Sequence, residues 1–77
     1  MAVKAFILIE MEPKSINGAL EVLKAIPQIQ FATAVAGPYD IVAIMESKSY
    51  EEIPKIITRQ IQAVDGVIKT TTLLAFE

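Results

Sequence analysis

The chain repeats itself. The segment "LKAIPQIQFATAV", beginning at Leu23, aligns without gaps on "IQAVDGVIKTTTL", beginning at Ile61, an offset of 38 residues. In each, the end of a helical pattern is followed by a two-residue break and a strand-like run. The same offset carries Ala5 and Phe6 onto Ala43 and Ile44, so the chain reads as two βαβ units joined by the turn "GPYD" at residues 37–40.

Local patterns fill in the two units. Residues 3–11 are rich in β-branched and aromatic side chains and too short for a regular helix, so they form a strand that Pro13 breaks. Ser15 is placed to cap a helix whose apolar stripe is Ile16, Leu20 and Leu23, supported by Ala19 and ended by Pro27; Gly18 is its weak point. Strands follow at residues 29–36 and 40–47. Ser49-Tyr50-Glu51-Glu52 has the form of a capping box, and Ile53, Ile56, Ile57 and Ile61 then line one helical face opposite Lys55, Arg59 and Gln62. Pro54 implies either that the regular helix begins nearer Glu51 than the capping box indicates or that its first turn is irregular. Asp65-Gly66 stops the helix and a strand over residues 67–76 ends the chain. The expected fold is α+β, a single domain over residues 1–77: a ferredoxin-like split βαβ (βαββαβ) with a four-stranded antiparallel sheet and both helices on one face.

Such a sheet should alternate apolar and polar residues, because its second face meets water. Here both sets are apolar: Val3, Ala5, Ile7 and Ile9 against Phe6 and Leu8, and Ile41, Ala43 and Met45 against Val42 and Ile44. The second face therefore needs a cover, most simply the same face of another copy, with Ile7 or Ile9 expected to meet the partner sheet. Composition points the same way. At about 25 cal/mol per Å² of apolar burial set against about 1.5 kcal/mol of ordering entropy per residue, a core of this size nets near zero. The chain has no Cys and no His, which removes disulfides and the commonest structural metal ligands, while 53% of its residues are hydrophobic. Dimerisation through the uncovered face is the remaining route to stability.

Several functions are disfavoured. A net charge of −2 with scattered Lys and Arg argues against direct nucleic-acid binding. The amino-terminal apolar run stops at Glu10, too soon for a membrane span or signal peptide, so a cytoplasmic protein is expected. Without His or Cys the catalytic inventory is poor, and Glu51 and Glu52 are explained by a helix dipole. No cofactor is expected, because Gly18, Gly37 and Gly66 are isolated and form no phosphate loop. Two polar features remain: "GPYD", and Lys69-Thr70-Thr71-Thr72 inside the last strand. Turn chemistry explains the first and β propensity the second, but Thr70 and Thr72 also share one side of the strand and present two hydroxyls, with Thr71 facing away.

The order of a helix ending in "IPQI", a strand, "GPYDIVAIMES", a helix and "VDGVIKTTTLLAFE" resembles the effector-binding (RAM) domain of the Lrp/AsnC family of amino-acid-responsive regulators. That family's Gly-x-x-Asp turn, Gly-Val pair and Thr-bearing last strand match Gly37, Asp40, Gly66, Val67 and Thr72. The resemblance implies dimers paired sheet to sheet, assembled as octamers or decamers, with a free amino acid held between dimers. Gly37, Asp40 and Thr72 are the carried-over ligand contacts; Thr70 is added from its side of the strand and Tyr39 because it stands inside the turn. Asp40 is expected to be an exposed turn residue that contributes little to stability. Full-length relatives carry an amino-terminal helix-turn-helix domain, whereas this chain starts at the sensor, so it resembles the stand-alone members. For these the family implies modulation of a full-length Lrp/AsnC-type regulator, or buffering or delivery of a metabolite. The alternatives are a small dimeric ferredoxin-like enzyme of monooxygenase or isomerase type, and a structural oligomer without ligand.

Overall fold

The computed structural model describes residues 2–76. Strand β1 (Val3–Met11) leads through a 3-10 turn (Pro13–Ser15) into α1 (Ile16–Lys24), then β2 (Ile29–Ala34) and β3 (Ile41–Ser47). Helix α2 (Glu52–Ile56) runs directly into a π turn (Ile57–Ile61), and β4 (Val67–Leu74) closes the fold. The sheet order is β2-β3-β1-β4, with every neighbouring pair antiparallel. This is the ferredoxin-like topology, with β1 and β3 at the centre. Phe6 pairs with Ile44, its own counterpart in the repeat.

The strand period of two sorts the residues by face. Ala5, Ile7, Ile9 and Met11 of β1 and Ile41, Ala43 and Met45 of β3 pack beneath the helices. Against them lie Ala19 and Leu23 of α1 and all four isoleucines of the α2 stripe, Ile53, Ile56, Ile57 and Ile61. The other face carries two cross-strand rows, Phe31–Ile44–Phe6–Leu73 and Thr33–Val42–Leu8–Thr71. Charged pairs flank these rows, Lys4 opposite Glu46 at one end and Glu10 opposite Lys69 at the other. No helix among the described residues covers this face, where Phe6, Phe31 and Leu73 are 39%, 54% and 51% exposed.

Four local expectations are corrected. Ile7 and Ile9 both belong to the helix-side core at 0% exposure, because residues two apart share a face; Phe6 and Leu8 are the outward pair. The capping box does not form: Glu52 accepts the Ser47 hydroxyl at 3.0 Å, and no described side chain caps α2. Of the two readings of Pro54 the later helix start holds, since α2 begins at Glu52 after Glu51; the irregular first turn does not, and the irregular turn lies at the other end of the helix. Pro54 fits the first turn, where a missing N–H costs no intrahelical bond, and the widening comes after Ile56, where the Gln62 N–H reaches back to the Ile57 carbonyl at 2.8 Å. Finally, β2 and β4 stop at Ala34 and Leu74, two residues short of the expected ends, and β3 begins at Ile41.

Candidate functional site

The "GPYD" hairpin is built by backbone demands. Gly37 adopts φ +140°, a value side-chain-bearing residues rarely hold, and the Val35 N–H donates to the Asp40 carbonyl at 2.9 Å. The Asp40 N–H in turn donates to the Ile9 carbonyl at 2.9 Å, and the Asp40 Oδ2 accepts the Met11 N–H at 2.8 Å. That second bond extends the β1–β3 ladder one rung past the Ile9–Ile41 pair, with a side chain standing in for the backbone that has turned away. It falls where β1 shifts register against β4, between Glu10 and Met11. Asp40 is therefore half-buried and structurally engaged, not the free turn residue expected from sequence.

Tyr39 and the threonines divide between the two faces of the sheet. Thr70 pairs with Ile9 and Thr72 with Ile7, so both lie on the helix side; Thr71 pairs with Leu8 on the open side. The Tyr39 hydroxyl lies 3.4 Å from the Thr71 hydroxyl, so the tyrosine reaches over the open face. Gly37, Tyr39 and Asp40 thus form one group and Thr70 and Thr72 another.

The second group lines a groove. Since β4 is an outer strand, α2 covers its helix-side residues only partly, leaving a cavity of about 400 Å³ between them. That volume falls in the ~300–1,000 Å³ range of small-molecule sites. Ile53, Pro54 and Ile57 form the helix wall, with Thr58 and Gln62 above; Thr70, Thr72 and Leu74 form the strand wall, and Tyr50 contributes at the α2 entry. The Gln62 Nε2 donates across the groove to the Thr70 Oγ1 at 3.3 Å. The Tyr50 hydroxyl donates to the Ala75 carbonyl at 2.8 Å and its ring packs 5.8 Å from that of Phe76, tying the end of β4 to the start of α2.

Of the polar residues lining the groove, sequence reasoning singles out Thr70 and Thr72 and passes over Tyr50, Thr58 and Gln62. Gln62 reads as part of the solvent face of a regular helix, and the apolar spacing around it carries no mark of a π turn. Only the alternation of hydroxyls in "KTTT" has a visible period, which marks Thr70 and Thr72. Among the described residues no group of three or more acidic, Cys or His side chains is placed to hold a metal, and no helix is long and apolar enough to cross a membrane.

Comparison with known proteins adds to this geometry. The family model described as the Lrp/AsnC ligand binding domain matches residues 4–77. An HTH-type transcriptional regulator of Pyrococcus furiosus is 32% identical over 75 residues, covering 94% of this chain and 50% of that protein. The chain spans about half the length of the curated relatives it matches. A protein of Thermus thermophilus of known crystal structure superposes with a TM-score of 0.92 at 36% identity, over 97% of this chain and 94% of that one. AsnC of Escherichia coli superposes with a TM-score of 0.90 at 25% identity, over 97% of this chain and 51% of that one.

Proposed function

This chain belongs to the Lrp/AsnC ligand-binding domain family, and on that premise we propose that it binds a free amino acid between copies of itself and signals occupancy through assembly. It is a non-catalytic binding domain of a regulator family, not an enzyme. The observation that carries the reading is the division of the five candidate residues into a hairpin group and a groove group. Within one copy the two are held apart, with Tyr39 turned to the open face and Thr70 and Thr72 beneath α2. A site using both is completed by the hairpin of one copy meeting the groove of another. The hairpin offers the second Asp40 oxygen to an ammonium and the Gly37 N–H to a carboxylate; the threonine hydroxyls add donors and acceptors.

Two copies first pair through the open sheet face, whose apolar centre, edged by threonines and by charged pairs at either end, has the core-and-rim composition of a protein interface. Such dimers then assemble as octamers or decamers, and an occupied assembly acts on a full-length Lrp/AsnC-type regulator. The test is a thermal-shift screen of the twenty amino acids, with mass in solution measured with and without each hit. A ligand at a hundred times its dissociation constant stabilises the folded assembly by about 2.7 kcal/mol. No shift at millimolar concentration with any amino acid, or a mass that stays monomeric throughout, would sink the proposal.

A further inference from the structure

We propose that the groove between α2 and β4 reads the side chain of the bound amino acid, admitting uncharged, mainly apolar side chains and rejecting acidic and basic ones, with Gln62 as the residue that sets the selectivity. This deepens the amino-acid reading of the same site and rests on it.

All amino acids share an ammonium and a carboxylate, and the hairpin supplies groups for both. Discrimination must come from whatever meets the side chain. The aliphatic walls of the groove are Ile53 and Ile57, both buried, and the exposed Leu74, and the polar groups lining it are hydroxyls and one amide, without a formal charge among the described lining residues. A charged side chain entering there gives up water and meets no opposite charge, whereas an apolar one gains contact with three aliphatic walls.

Gln62 is the variable element. The π turn fixes where it leaves the helix, through the bond from its N–H to the Ile57 carbonyl, and its amide spans the groove to Thr70. That amide contact is 3.3 Å long and exposed, so a ligand displaces it at little cost. Replacing the amide by a carboxylate changes the charge of the groove with almost no change of shape. Gln62→Glu should therefore convert the preference from apolar to basic side chains.

The experiment is calorimetric titration of the purified protein with leucine, isoleucine, methionine, phenylalanine, aspartate, glutamate, lysine and arginine, for wild type, Gln62→Glu and Gln60→Glu. Gln60 is exposed and does not line the groove, so its variant adds the same charge elsewhere on the helix. Wild type should bind its best apolar ligand at least about tenfold more tightly than any charged one. Gln62→Glu should lose affinity for that ligand and gain it for lysine or arginine, while Gln60→Glu keeps the wild-type order. Equal wild-type affinity for charged and apolar side chains overturns the inference while leaving amino-acid binding intact. An unchanged order in Gln62→Glu, or the same change in both variants, removes Gln62 from the role. Absence of binding by all eight to wild type overturns the inference; extending the titration to the other twelve then decides whether amino-acid binding itself survives.

Discussion

Asp40 holds a backbone amide with one carboxylate oxygen and, in the proposed function, offers the other to a ligand, and two substitutions pull these roles apart. Asp40→Ala leaves the Met11 N–H without its acceptor and should cost about 1–2 kcal/mol, a fall in melting point of roughly 4–8 °C per kcal/mol for a domain of this size. Asp40→Asn retains an oxygen for Met11, so its melting point should stay near wild type while its response to an amino acid is lost. Full ligand response in the Asn variant would reduce Asp40 to a structural residue. The glycines make a second contrast. Gly66 has φ +90°, and a Cβ there would run into the Ser15 side chain, whereas Gly37 has open space around it. Gly66→Ala should thus cost about 2 kcal/mol or more, and Gly37→Ala less, by chemical denaturation. Both positions are legible as turns in the sequence, because Gly and Asp carry local backbone preferences. The reach of Asp40 to Met11 is not, since that bond joins residues 29 apart in the chain and depends on where the sheet ends.

Among the elements, the strands are the most legible, because their apolar runs and breaks are written at period two. Helix α2 is half legible: its isoleucine stripe is plain, but the capping box at its start gives way to a bond between Glu52 and a nearby serine, and its π turn leaves the apolar spacing unchanged. The groove is a product of that helix and an outer strand meeting, so neither segment announces it alone. A strand apolar on both sides also leaves open which face of β1 points outward, and the packed structure resolves it. Phe6→Lys places a charge among Ile44 and Leu73 on the uncovered face; it should lower the mass in light scattering towards the monomer while circular dichroism keeps its native form. Ile7→Lys buries the charge beneath the helices at a cost of several kcal/mol and should unfold the chain. If Phe6→Lys assembles like wild type, the open face is not the dimer contact.

The whole molecule measures 37 × 22 × 17 Å, thin in the direction of a single sheet and one helical layer. Its sheet order has a consequence for how such a slab comes to exist. In β2-β3-β1-β4, neither repeat has two of its own strands side by side: β1 is flanked by β3 and β4, and β2 touches only β3. Every rung of the sheet joins one half of the chain to the other, so unfolding should be a single transition seen identically by circular dichroism and calorimetry. Peptides 1–38 and 39–77, cut inside the hairpin, should each be unstructured and should regain the native circular dichroism when mixed in equal amounts; a half that folds alone would contradict this. The pairing of Phe6 with Ile44 places a twofold pseudo-axis between equivalent residues of the two halves. That is the arrangement gene duplication and fusion produces from a βαβ peptide that began as half of a homodimer, its missing neighbours supplied by a twin.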